Sequence, residues 1–220
     1  DFLIREKRSE TFYLSEKALS AAKELLESIL FILKKNSNYK IYPDRVQRPD
    51  KKIIFLKEDN PIIIAGRLIQ EDLLILHWDN NFQEHILEGG ILCFPALWTL
   101  NEKINKPLSR IHKPVEQYNE KITKSVQRMF NNLKVDKPIW RANWYLYKDP
   151  ELFSPLSEKF SHTTEKKYFE GDFWLRVERQ TLKRLPETNA IVFGIHTYVV
   201  NKKQLTLKQI TSLKNYSLNK

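Results

Sequence analysis

The sequence predicts an α+β fold, an antiparallel sheet flanked by helices. Three observations predict it. Long helix-period stretches are few. The C-terminal half carries three separate runs with strict period-two alternation. The repeated strand–helix order of a doubly wound parallel sheet is missing. In chain order, residues 15–35 read as a helix. Ser15 caps it, and Leu19, Ala22, Leu25, Leu26, Ile29, Ile32 and Leu33 recur at helical spacing. Three β-like runs follow at 52–57, 62–69 and 73–78, parted by polar turns at 58–61 and 70–72. Residues 84–88 and 91–94 read as a strand pair around Gly89-Gly90, a hairpin signal. From Pro95 to Pro114 the chain reads as irregular or briefly helical. Pro114 suits a helix start, and Val115, Tyr118, Ile122, Val126, Met129 and Phe130 stripe a second amphipathic helix over 115–133. The alternating strands are 139–147, 173–180 and 190–200. A polar loop at 150–170, placed to act as a lid, and a final helix at 206–218 complete the reading.

At 220 residues, with no internal repeat or dividing linker, the chain reads as one domain over residues 1–220. Hydrophobic residues make up 41%, which rules out a disordered chain. No apolar run approaches the roughly 18–20 residues of a membrane span, and the first ten residues lack the order of a signal peptide. The only cysteine, Cys93, excludes a disulfide framework and any multi-cysteine metal site, and it sits in an apolar run as a structural thiol. These features point to a reducing, cytoplasmic compartment. The net charge of +10 admits nucleic acid, anionic lipid or an acidic protein as partner. No nucleic-acid recognition pattern accompanies the lysines, so a solvated surface or a docking face for an acidic electron-transfer protein accounts for them better.

No nucleophile elbow, P-loop or dinucleotide fingerprint is present. His77 and His85 lack helical zinc spacing and read as packing or surface residues; His162 falls in the polar loop. His112 stands between Arg110-Ile111 and Lys113-Pro114, just after an apolar run containing Ile91, Leu92, Phe94 and Trp98. A neutral imidazole beside apolar and aromatic surface suits an iron porphyrin; a helix-capping role before Pro114 is the simpler alternative. The strand 173–180 is unusual. Period two sends Arg176, Glu178 and Gln180 to one face and Arg179 to the other with Leu175 and Val177. An arginine on that apolar face needs a partner, and a buried Arg–Glu network is one solution.

Several segments, in one order, resemble the heme-dependent oxidative N-demethylases, related to the heme subunit of dimethylamine monooxygenase. They are Gln70-Glu71-Asp72-Leu73, Leu92-Cys93-Phe94-Pro95 with Trp98, Glu102-Lys103-Ile104, Ile111-His112-Lys113-Pro114-Val115 with Tyr118, and Arg141-Ala142-Asn143-Trp144. Further on come Glu178-Arg179-Gln180-Thr181-Leu182, Arg184-Leu185-Pro186 and Thr197-Tyr198. The resemblance covers about residues 60–200. It implies a PAS-like fold holding heme b, and oxidative removal of a methyl group from a small secondary amine such as dimethylamine. Dioxygen is then the oxidant, and a flavin and iron–sulfur reductase supplies electrons. It implies His112 as the iron ligand, with Arg141, Asn143, Arg176, Phe94 and Trp98 around the cofactor and Glu178, Arg179 and Tyr198 as catalytic residues. Arg141, Arg176 and Arg179 suit heme propionates. Glu178 suits the ammonium of a protonated amine, with Trp144, Tyr145 or Trp174 as an aromatic wall. The chain departs from the family's pattern at Asn105 (usually glycine), Glu116 (usually proline) and His196 (arginine in many members), which makes His196 a rival ligand. A non-catalytic heme-binding sensor or carrier is the alternative, since fold does not fix function.

Overall fold

A computed structural model describes residues 1–114, 118–159 and 171–218, with side chains up to residue 215. The strands are β1 (Phe12–Leu14), β2 (Lys40–Ile41), β3 (Arg45–Gln47), β4 (Ile53–Phe55), β5 (Asp72–Asp79), β6 (Glu84–Ile91), β7 (Ile139–Tyr147), β8 (Trp174–Arg184) and β9 (Ile191–Asn201). The α-helices are α1 (Phe2–Glu6), α2 (Arg8–Thr11), α3 (Leu19–Leu33), α4 (Pro61–Leu68), α5 (Leu100–Lys103), α6 (Leu108–Ile111), α7 (Glu120–Asn132) and α8 (Leu207–Leu218). Six strands form one antiparallel sheet in the order β1-β6-β5-β9-β8-β7, and β2, β3 and β4 make a small second sheet. Among the described residues no helix is long and apolar enough to cross a membrane.

The large sheet buries both faces around β5. Leu73 and Ile75 join α3, α4 and the small sheet in one core; Leu74 and Leu76 join α5, α6 and α7 in the other. Alternating side chains point to opposite faces, so five successive residues of β5 are buried (Asp72 to Leu76).

Residues 62–69 are the first departure from the sequence reading. They form α4, not a strand. Asn60 accepts from the Ile62 N–H at 3.2 Å and Pro61 sits in the first turn, so the start signals override the β preference of three isoleucines. Ile62, Ile63 and Ile64 are fully buried, each worth roughly 1.5–3 kcal/mol. Gly89-Gly90 is not a turn either. Both glycines lie inside β6, where an added Cβ would stand 2.4 Å from Leu14 Cδ1 or 2.5 Å from Leu74 Cδ2. They are there for close packing. The hairpin between β5 and β6 turns instead where Asp79 accepts from the Asn81 and Phe82 N–H groups. The second long helix begins at Glu120 rather than 115, because Asn119 caps it by accepting from the Ile122 N–H at 3.1 Å. Residues 115–117 lie outside the described residues.

The sign of the burial on β8 is also inverted. The polar row is buried throughout, with Arg176 1% exposed, Glu178 5% and Gln180 8%, whereas on the other row only Leu175 is buried. Arg179 lies on the other face, half exposed, with its Nη2 donating to Glu71 Oε1 at 2.9 Å. The cause is what lies above the strand. The segments around Phe94 and Leu152 cross it as loops, and their backbone carbonyls need donors.

Candidate functional site

His112 is set by α6. The helix ends at Ile111, and the His112 backbone, at φ −94 and ψ 5, turns the side chain back onto the last helical turn. Nδ1 lies 2.9 Å from the Leu108 carbonyl, which can only accept, so Nδ1 carries the proton. Nε2 keeps its lone pair and has no hydrogen-bond partner among the described residues. The ring stacks on Tyr118, with centroids 4.3 Å apart and 16° between planes. Burial lowers the imidazole pKa. The Leu108 carbonyl opposes this, and the charges of Lys103 and Arg141 push the same way as burial. The result is a neutral imidazole with a fixed tautomer, as an axial ligand requires.

The shell behind α6 is polar and well connected. Glu84 accepts from the Ser109 N–H at 2.8 Å. Lys103 is buried and donates to the Ile111 carbonyl at 2.8 Å and to Glu158 at 2.5 Å. Arg110 reaches the same Glu158 at 3.1 Å, and Glu102 accepts from Thr99 and Ser157 at 2.7 Å each. The described part of the polar loop, through residue 159, is therefore clamped to α5 and α6. Residues 160–170, including His162, lie outside the described residues.

Facing α6, β7 and β8 carry a chain of side chains. Arg141 Nε donates to Gln180 Oε1 at 2.9 Å, and Gln180 Nε2 donates to Glu178 Oε2 at 3.1 Å. Arg176 Nε donates to Glu178 Oε1 at 3.3 Å. Arg176 also donates to the Leu152 carbonyl at 3.0 Å and to the Phe94 carbonyl. Asp72, 1% exposed, accepts from the Cys93 and Phe94 N–H groups at 2.7 and 2.9 Å. Burial pushes its pKa up to about 7, against those two N–H groups and the Arg176 charge; Glu178 adds to the rise. The Tyr147 and Thr197 hydroxyls are buried on the same face without a partner among the described residues. Burial moves Tyr147 up to about 12. Buried polar atoms without partners are uncommon, and a bound group is one explanation.

His112, Arg141, Asn143, Tyr145, Arg176 and Glu178 thus share one side of the sheet, with Phe94 above and Trp98 packed into the core beside α5. Arg179, Tyr198 and His196 do not. Register puts Arg179 opposite His196 and Val177 opposite Tyr198, on the reverse face, where His196 and Tyr198 rings lie 4.4 Å apart. Trp144, opposite Val177, is on that reverse face too. Arg176 spends its guanidinium on protein groups, whereas Arg141 keeps both Nη atoms without a partner among the described residues. His85 is a core residue between Trp78 and Phe130, bonded to Gln127 at 2.8 Å, and His77 lies 2.8 Å from Glu88. Both histidines line a cleft of about 460 Å³ that does not include His112. Among the described residues no three histidine, cysteine or carboxylate side chains converge as a metal cluster. Burial pushes the Cys93 thiol up to about 12, so it is no nucleophile.

Asp72, Lys103, Glu158 and Gln180 had no assigned role in the sequence. The usable signal for Asp72 was a carboxylate opening an otherwise apolar strand. No local pattern announces Glu158, whose partners are 48 and 55 residues away.

The donor set fits a porphyrin iron: one neutral imidazole nitrogen and, beside it, guanidinium Nη atoms, both without a partner among the described residues. Residues 2–214, nearly the whole chain, match the family described as haem-dependent oxidative N-demethylase, alpha subunit-like, and the protein belongs to that family.

Proposed function

We propose that the protein binds heme b on the α6 side of the sheet and oxidatively removes a methyl group from a small secondary amine such as dimethylamine. The observation that carries this reading is His112: burial favours its neutral form, and the Leu108 carbonyl takes the Nδ1 proton, leaving Nε2 without a partner among the described residues. Bound heme supplies the activation of dioxygen. The balance per methyl group is one dioxygen, two electrons and two protons in, and formaldehyde, water and the primary amine out. The electrons require a donor, of the flavin and iron–sulfur reductase type. A cytoplasmic location and a single PAS-like domain belong to the same proposal; the five long strands lie in the order second-first-fifth-fourth-third.

The chain's own residues then have these tasks. Arg141 holds a propionate through its Nη atoms. Asn143, Phe94 and Trp98 border the cofactor. Glu178 binds the ammonium of the amine, because each of its oxygens keeps a lone pair beyond those given to Arg176 and Gln180. Tyr145 and Trp174, on the same face, offer the aromatic wall. Arg176 and Asp72 hold the loop segment that closes the site from water. A second reading, a heme-binding sensor or carrier without turnover, is favoured by one observation: Arg179 and Tyr198 lie across the sheet from His112.

The test is formaldehyde release from dimethylamine by heme-loaded protein with a chemical or enzymatic electron source. Release that falls with Glu178→Gln supports the oxygenase. A normal Soret band with no formaldehyde under any reductant leaves the sensor reading in its place.

A further inference from the structure

Four tenths of the chain's net charge sits in a tenth of its length. Residues 118–141 hold six cations and two carboxylates, net +4 of a total of +10. The structure gathers them. On α7, Lys121, Lys124 and Arg128 recur at intervals of three and four, a single stripe on the side opposite buried Phe130. Lys134 and Lys137 extend it along the connection to β7. Of these five, only Lys124 has an ion-pair partner among the described residues, Glu120 at 2.6 Å. Ile122 and Met129, 38% and 40% exposed, flank the stripe. Unpaired like charges crowded together repel, so the chain carries this stripe at a cost that a stabilising surface would have relieved with carboxylates. Apolar side chains beside it give a partner something to desolvate. The stripe also begins just after Tyr118, which stacks on His112, and ends just before Arg141.

Resting on the heme reading above, we propose that the outer face of α7 and the connection to β7 is the docking surface for an acidic protein that delivers electrons to the site. Carboxylates on the partner meet the Lys121–Arg128 stripe, and Ile122 and Met129 form the dry part of the contact. Charge steering of this kind sets the association rate and fades with salt.

The experiment uses heme-loaded full chain and an acidic flavodoxin as probe. One variant carries Lys121→Glu, Arg128→Glu, Lys134→Glu and Lys137→Glu. A control of equal charge carries Lys17→Glu, Lys23→Glu, Lys40→Glu and Lys57→Glu, all exposed and distant in sequence from the stripe. Two quantities are read: equilibrium binding of oxidised flavodoxin, and the rate of heme reduction by photoreduced flavodoxin. The first variant weakens binding and slows reduction about tenfold or more at low salt, and the control changes both less than about twofold. Dithionite reduces both proteins alike, which separates lost docking from lost heme. If no heme binds, the functional reading fails while the binding contrast still stands or falls by itself. Equal losses in the two variants overturn the proposal, leaving non-specific charge. Tight binding of duplex DNA, abolished by the first variant while flavodoxin binds neither protein, overturns it in favour of nucleic acid.

Discussion

Two regions of the sheet are covered by different materials. Over β5 and β6, α3 and α4 lie on one face, and the side chains between are Ile62, Ile63, Leu73, Ile75 and their like, all apolar. Over β8 on the other face the cover is loop, and beneath it stand Arg176, Glu178 and Gln180 with Asp72 at their edge. A helix satisfies its own backbone and asks only for apolar area below. A loop brings unpaired N–H and C=O groups into the interior, and the strand beneath must supply donors and acceptors. Arg176 answers two carbonyls, and Asp72 answers two N–H groups. The region under α3 and α4 is held by area, the loop-covered region over β8 by a network in which each member depends on the rest.

That contrast can be broken by substitution. The largest effect belongs to Arg176→Met. It strands two carbonyls and leaves Glu178 buried without its cation, a loss of about 3–5 kcal/mol in denaturant unfolding. The double variant Arg176→Met, Glu178→Gln costs less than the single one, because the uncompensated charge is gone. On the helix-covered face Ile63→Ala leaves a cavity and costs about 2–5 kcal/mol, and no second substitution at a polar site relieves it. Equal behaviour of the two sites would remove the distinction. A smaller effect separates the faces by pH. Asp72 has a native pKa of about 7, above its ordinary 3.8, so the native state binds more protons than the unfolded state between those values. The stability that Asp72 contributes therefore falls as pH rises from about 4 to about 7 and then levels. Asp72→Asn removes that contribution to the slope, and the difference between the two unfolding curves against pH isolates it. A wild-type and variant pair with parallel curves would show that Asp72 is ionised throughout. The smallest effect is at the start of α7: Asn119→Ala costs about 1 kcal/mol of unfolding free energy and leaves the Asp72 slope unchanged.

Much of the architecture was legible. The strands 139–147 and 190–200 were bounded to within a residue, because alternation on a half-buried sheet leaves a plain trace. The segment 62–69 was not, since three isoleucines imitate a strand and only Asn60-Pro61 betrays the helix. Gly89-Gly90 misled because glycine marks turns and tight packing equally, and only the neighbours Leu14 and Leu74 decide. Of the site, His112, Arg141 and Glu178 lie on one side of the sheet. Arg179 and Tyr198 stood beside them in those motifs, yet period two carries a neighbour in sequence to the opposite face. Asp72, Lys103 and Glu158 act through partners distant in sequence, which no single segment reveals.

In the proposed function, His112 Nε2 is the nitrogen that meets iron. Absorption spectra of purified protein reconstituted with hemin test it most directly, oxidised, reduced and reduced with carbon monoxide, for wild type, His112→Ala and His112→Ala with added imidazole. Wild type is expected to show a Soret band, His112→Ala to lose or shift it, and imidazole to restore it. An unchanged Soret band and carbon monoxide complex in His112→Ala would contradict it.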